Sequence, residues 1–167
     1  MNSMKEIRIE KVTLSIGTGE AGSKVEKAMK LLQTLANQKP VATVTKKRIP
    51  TWGVRPGMTI GAKVTLRKNK DKFVENMLIA AGNRLSQKKI GDGIFSFGIP
   101  EYLQVPDAKY DLSIGIIGFG VMVTLERRGF RIKKRISRKG KIPQRHLISK
   151  QETVDFLKNK FKTKIED

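Results

Sequence analysis

The first element of the chain is a strand, Ile7-Arg8-Ile9-Glu10-Lys11-Val12-Thr13-Leu14-Ser15-Ile16-Gly17, and its pattern sets the faces of the sheet. Ile7 and Ile9 alternate with Arg8 and Glu10, and Val12, Leu14 and Ile16 alternate with Lys11, Thr13 and Ser15, but the two runs are out of phase by one residue. Period-two alternation marks a strand with one buried face. A slip of one residue would turn every later side chain to the opposite face unless one extra residue is taken up locally. The pattern therefore predicts a bulge near Glu10-Lys11.

Outward from that strand, Gly17-Thr18-Gly19-Glu20-Ala21-Gly22 turns the chain. Ser23 is expected to cap a helix running to about Asn37, with Val25, Ala28, Met29, Leu32 and Leu35 at helical spacing. Lys39-Pro40 ends it, and Val41 to Thr45 reads as a second strand. Residues 46–57 hold Pro50, Gly53, Pro56 and Gly57 and read as a loop. A third strand follows, with Ile60, Ala62, Val64 and Leu66 inward and Gly61, Lys63, Thr65 and Arg67 outward. Asn69 or Asp71 opens a second helix carrying Phe73, Val74, Met77, Leu78, Ala81 and Leu85. Ile94 to Ile99 and Val121 to Leu125 are later strands, joined by a loop with Pro100 and Pro106. Ser149-Lys150-Gln151-Glu152 matches a capping box and starts a last helix with Val154, Leu157 and Phe161 on one side. This order predicts an α+β fold, a two-layer sandwich of a mainly antiparallel sheet with helices on one face and long basic loops. No repeat or linker divides the chain, so one domain over 1–167 is expected, with an open sheet face carrying Lys11, Thr13, Ser15, Lys63, Thr65 and Arg67.

Charge points to a partner. Among 167 residues there are 35 Lys and Arg against 15 Asp and Glu, a net charge of +20. Such a chain repels itself until a polyanion neutralises it, and nucleic acid is the polyanion whose phosphates release counterions to Lys and Arg. No acid lies between Glu26 and Asp71, where Lys27, Lys30, Lys39, Lys46, Lys47, Arg48, Arg55, Lys63, Arg67, Lys68 and Lys70 stand. A denser run holds Arg127, Arg128, Arg131, Lys133, Lys134, Arg135, Arg138, Lys139, Lys141 and Arg145 with no acid among them. Gly129, Gly140 and Pro143 punctuate it, so residues 127–148 are expected to form a loop or irregular hairpin and not a basic helix. A solvated face would mix its signs, and a membrane-surface helix would set apolar residues opposite the charge. An open polar face with long basic loops suits a large folded RNA.

Other chemistry finds little support. The chain has no Cys and one His, which removes disulfides, thiolate nucleophiles and Cys-based zinc sites. The start, Met1 to Glu6, has no apolar leader and no stretch has the length of a membrane span, so a cytoplasmic protein without membrane partner is expected. Gly17, Gly19 and Gly22 spell G-x-G-x-x-G, the basis of an alternative nucleotide-binding enzyme reading. The acid that should hold the ribose about twenty residues on is absent at Gln38-Lys39-Pro40, so the glycines are read as a turn and no cofactor is expected. A second alternative is a general basic RNA chaperone. His146 lacks a nearby acid in sequence and reads as a surface or RNA-facing imidazole. Asp107 and Asp111 flank Ala108-Lys109-Tyr110 as turn residues, as does Asp92 between Gly91 and Gly93. Trp52, in the basic loop, fits either stacking on a base or pinning the loop to its own protein.

Three blocks then carry a resemblance: Arg8 to Ala21; Gln38-Lys39-Pro40 with the basic loop and Pro56-Gly57-Met58-Thr59-Ile60-Gly61-Ala62-Lys63-Val64-Thr65-Leu66-Arg67; and Phe97-Gly98-Ile99-Pro100-Glu101-Tyr102 leading to Lys109-Tyr110-Asp111. In this order they resemble the large-subunit ribosomal protein L-five family over nearly the whole chain, and the ending from Ser113 resembles its archaeal and eukaryotic branch. The resemblance implies a non-enzymatic ribosomal protein that binds 5S rRNA in the central protuberance. It implies further contacts with large-subunit rRNA, P-site tRNA and a protein of the small-subunit head. Carried over by position, Ser15, Gln38 and Thr65 would face 5S rRNA, with Ser15 standing where family members commonly have Asn. Lys11, Thr13, Lys63 and Arg67 join them on the open face. Lys46, Lys47, Arg48, Trp52 and Arg55 would reach toward tRNA, and the basic stretch Arg127 to Arg145 would anchor on rRNA.

Overall fold

The computed structural model describes residues 2–106 and 108–166; the reading of Asp107 as a turn residue lies outside them. In chain order the elements are β1 (Ile7–Gly17), α1 (Ser23–Ala36), β2 (Val41–Val44), β3 (Thr59–Leu66), α2 (Lys70–Ala80), β4 (Arg84–Ser86), β5 (Ile90–Gly91), β6 (Ile94–Ile99), β7 (Phe119–Arg127), α3 (Arg131–Lys134), α4 (Lys150–Phe161) and β8 (Lys164–Glu166). Six strands form one sheet of order β2-β3-β1-β7-β6-β5, and every neighbouring pair in it is antiparallel. A separate parallel pair joins β4 to β8.

The slip in β1 is a bulge. Ile9 faces Leu125 and Lys11 faces Thr124, leaving Glu10 as the extra residue. Before it Ile9 is buried, and after it Val12, Leu14 and Ile16 are buried, so one face stays apolar throughout. A bulge disturbs the ladder and leaves backbone groups to satisfy. Lys70, the first residue of α2, does this here: its Nζ donates to the carbonyls of Ile9 at 2.6 Å and Glu10 at 3.1 Å.

The inward residues of the sheet form one hydrophobic cluster with Ala28, Leu31 and Leu32 of α1, Val74, Met77 and Leu78 of α2, and Val154 and Leu157 of α4. Each fully buried aliphatic side chain contributes about 1.5–3 kcal/mol by leaving water, which is what holds the helices to one face. Ser149 and Glu152 make the reciprocal capping box at the start of α4.

Several boundaries differ from the sequence reading. Gly22, with φ 105°, takes the capping position of α1, and Ser23 is its first helical residue. Leu31 and Ala36 are buried in α1, whereas Met29 and Leu35 are half-buried. α2 ends at Ala80 because Gly82 and Asn83 adopt left-handed backbone, φ 72° and 54°. Leu85 therefore leaves the helix and is buried in β4. β4, β5 and β8 have three residues or fewer, too short for alternation to register. Replacing Lys70 by Met should cost about 1–2 kcal/mol in urea unfolding, because the bulge carbonyls lose a charged donor while the stem is kept; an unchanged midpoint would show that water serves them equally well.

Candidate nucleic-acid interface

The open face of the sheet is built by register. Lys63, Ser15, Gly120 and Gly98 lie side by side on β3, β1, β7 and β6, and Thr65, Thr13, Met122 and Ser96 form the next row. Lys11, Thr124 and Ile94 form a third. These residues alternate with the buried ones, so they point away from the helices. Adjacent strands lie about 4.8 Å apart, which makes each four-strand row roughly 14 Å across. Ser15 and Lys63 are exposed, and Lys11, Thr13 and Thr65 are half-buried. Arg67 is exposed just beyond β3. Gln38 is exposed three residues before β2, toward the Thr65 end of β3, since Val41 pairs with Lys63 and the strands are antiparallel. The structure thus brings Lys11, Thr13, Ser15, Lys63 and Thr65 to one side, leaves Gln38 and Arg67 exposed beyond the strand ends, and adds Ser96, Gly98, Gly120, Met122 and Thr124 to the face. The alternation of Ile94, Ser96 and Gly98 with Phe95, Phe97 and Ile99 carried that signal in the sequence.

The loop between β2 and β3 closes on itself. Ile49 and Val54 exchange backbone hydrogen bonds of 2.9 and 3.1 Å, and Thr45 binds Met58 and Gly57 through its backbone. Val54 is buried, and Pro50–Trp52 forms a single tight turn at the tip. Trp52 is 65% exposed there, among exposed Lys46, Lys47, Arg48 and Arg55. The tryptophan is therefore not used to pin the loop to its own protein.

The second basic stretch is corrected in two places. Arg127 belongs to β7, not to a loop, and its alternation with Leu125 turns it to the helix side. It is 6% exposed and donates to the Leu147 carbonyl at 3.3 Å and to Glu152 at 2.5 Å, so its charge fastens α4 to the sheet and cannot anchor RNA. The Ser149 amide and then Arg127 hold the Glu152 carboxyl below the usual glutamate range. Lys134, in the single helical turn α3, pairs with Glu10 at 2.7 Å and Glu126 at 2.6 Å. Arg8 grips the other oxygen of Glu126 at 2.8 Å. Burial raises the Glu126 carboxyl, but Lys134 and Arg8 outweigh it and leave it lowered; Lys134 is raised against its own burial by Glu10 and Glu126. His146 closes the segment at its base, with Nε2 2.9 Å from the Arg128 carbonyl and its ring against Phe130.

Glu10 and Glu126 lie on the open side of the sheet, so Lys134 ties the basic segment to that side. Arg128 stands 3.5 Å from Glu6. Arg131, Lys133, Arg135, Arg138, Lys139, Lys141 and Arg145 are exposed, and among the described residues none meets a carboxylate at ion-pair distance. What the protein presents is a mostly polar sheet face together with two mostly uncompensated basic loops.

Comparison with known proteins identifies the family. The family described as "Ribosomal protein L5" matches residues 2–55, and the model of the same family's C-terminus matches 59–156. The chain is 45% identical over 168 residues to "Large ribosomal subunit protein uL5" of Sulfurisphaera tokodaii, covering 99% of this chain and 95% of that protein. The chain belongs to the ribosomal protein L5 family. Similar relatives of the same description come from Nanoarchaeum equitans, 43% identical with 97% of each chain covered, and Archaeoglobus fulgidus, 43% identical with 95% and 89% covered. These are archaea, the branch the ending resembled, and such L5-family relatives are named for a place in the ribosome and not for a reaction. The G-x-G-x-x-G turn fits that reading: β1 is antiparallel to both neighbours, so the turn does not open the parallel βαβ unit that a dinucleotide fold needs.

Asp111 is likewise structural, accepting from Ser113 and pairing with Lys30 at 2.8 Å, which hold its carboxyl down to about 2. The pinning of the basic segment has a pH signature. Glu126 is lowered from 4.5 in the fold, so its contribution is fully present above that value and is lost as pH falls through the lower folded value. The variant Glu126→Gln should be less stable at neutral pH and lose less stability on acidification, in urea titrations at a series of pH values. Parallel acid limbs for the two proteins would contradict the pairing.

Proposed function

We propose that this protein, a large-subunit ribosomal protein working in the cytoplasmic ribosome, binds 5S rRNA with the open face of its sheet. The observation that carries the reading is the Thr13–Thr65 pair at the centre of that face, bordered by Ser15, Lys63 and Lys11. Hydroxyls and an outer rim of ammonium groups suit RNA shape, 2′-OH groups and phosphates at once. Lys and Arg supply most of the affinity through counterion release, while Thr65, Gln38 and Ser15 fix register. Ser15 has a shorter side chain with one hydroxyl, so its contact with RNA is lost or bridged by water. The exposed cations between Arg131 and Arg145 anchor on large-subunit rRNA, and the loop of 46–57 reaches P-site tRNA, with exposed Trp52 stacking on a base or ribose. A neighbouring protein of the small-subunit head completes the contacts expected of the family.

Two variants separate these roles. Thr65→Val keeps the strand's shape and removes a donor and an acceptor; 5S binding should weaken by about 1–3 kcal/mol. Unchanged affinity would move the binding face elsewhere. Replacing Lys46, Lys47 and Arg48 together by Ala should leave isolated 5S binding nearly intact while weakening tRNA crosslinking in assembled subunits. A large drop in 5S affinity would contradict the assignment of that loop.

A further inference from the structure

Gly98 sits inside β6, where glycine weakens a strand: it has no side chain to pack and more freedom to lose. Two other glycines of the sheet region are required by the fold, while Gly17, at the end of β1, has open space like Gly98. A Cβ on Gly61 would lie 2.4 Å from the Ile16 carbonyl, and one on Gly118 would lie 2.6 Å from the Pro100 carbonyl. At Gly98 the backbone is one that any residue adopts, and a Cβ would meet nothing within 4 Å. The fold does not call for glycine there. Gly120, its neighbour across the ladder, would place a Cβ 3.3 Å from the Ser15 hydroxyl. The two glycines leave a strip of bare backbone two strands wide beside Ser15. Met122, 48% exposed, and Ser96 stand along one side of it.

Resting on the 5S rRNA reading, we infer that the RNA interface extends across β7 and β6, with the Gly98–Gly120 strip as the floor on which one sugar–phosphate strand of the RNA lies. Bare backbone matters only to something that approaches closer than a methyl group allows. On a face rimmed by Lys63 at the other end of the same row, that something is a polyanionic strand. The Ser15 and Ser96 hydroxyls reach its riboses from either side of the floor, and the Met122 thioether gives an apolar surface to a sugar or base.

The test uses the full chain and intact 5S rRNA, with an unrelated folded RNA of equal length as reference. Gly98→Val should bind 5S rRNA about ten-fold or more weakly, as a lifted strand loses its hydrogen bonds. Gly98→Ala should fall between it and the parent, and neither variant should melt lower than the parent. Met122→Ala, whose side chain lies outside the core, should lose several-fold. Gly98→Val binding as well as the parent would overturn the inference while leaving the 5S reading standing. A clear fall in melting temperature for Gly98→Val would overturn it too, since the glycine would then serve the fold. A parent chain with no preference for 5S rRNA would defeat the 5S reading first and this inference with it.

Discussion

The bulge at Glu10 governs the rest of the molecule, because β1 pairs on both sides and both layers take their phase from it. With the extra residue absorbed, Ile9 and Val12 both face the helices, and Lys11, Thr13 and Ser15 all face out. Without it, either the first turn of the strand or its whole remainder would present its apolar side to water. Two lysines hold the bulge from different directions. Lys70 binds its carbonyls, and Lys134 binds the Glu10 carboxylate. One local irregularity thus sets the core, orders the open face, and ties the basic segment to the edge of that face.

Several of the chain's acids are placed where they restrain cations. Glu126 takes Arg8 and Lys134, Glu152 takes Arg127, and Asp111 takes Lys30. Exposed pairs of this kind contribute little each, and the half-buried cluster around Glu126 contributes more because salt screens it less. Their value lies in geometry: the basic segment is fixed by Arg127, Lys134 and His146, while Arg131, Lys133, Arg135, Arg138, Lys139, Lys141 and Arg145 stay available. A protein with this excess charge is poorly matched to itself and well matched to a surface of phosphates.

Much of this was legible in the sequence. The alternation of β1 and β3 placed Lys11, Thr13, Ser15, Lys63 and Thr65 on one face, and the phase slip announced the bulge. The capping box at Ser149 and the limits of β6 were also readable, since each rests on local chemistry. What escaped depends on contacts distant in sequence. Leu85 continues a helical spacing, and only the left-handed Gly82 and Asn83 divert it into a strand paired with the far end of the chain. Arg127 and Lys134 look like members of a uniform basic run; Arg127 is neutralised by Glu152 and Lys134 by Glu10, both far off in sequence, as well as by Glu126, which only the fold turns toward it. His146 looked unsupported because its partner is a backbone carbonyl, which no sequence pattern marks.

On this proposal, shape and hydroxyl recognition act on top of charge. The most direct test is a salt titration of binding to 5S rRNA and to an unrelated folded RNA of equal length. Counterion release makes both affinities fall with salt, at a slope set by the number of phosphates neutralised. If the sheet face recognises 5S rRNA, that RNA should stay clearly preferred as salt rises, because hydrogen bonds are not screened away as charge is. Affinities that are equal and fall together would contradict it, leaving a basic protein that binds any polyanion.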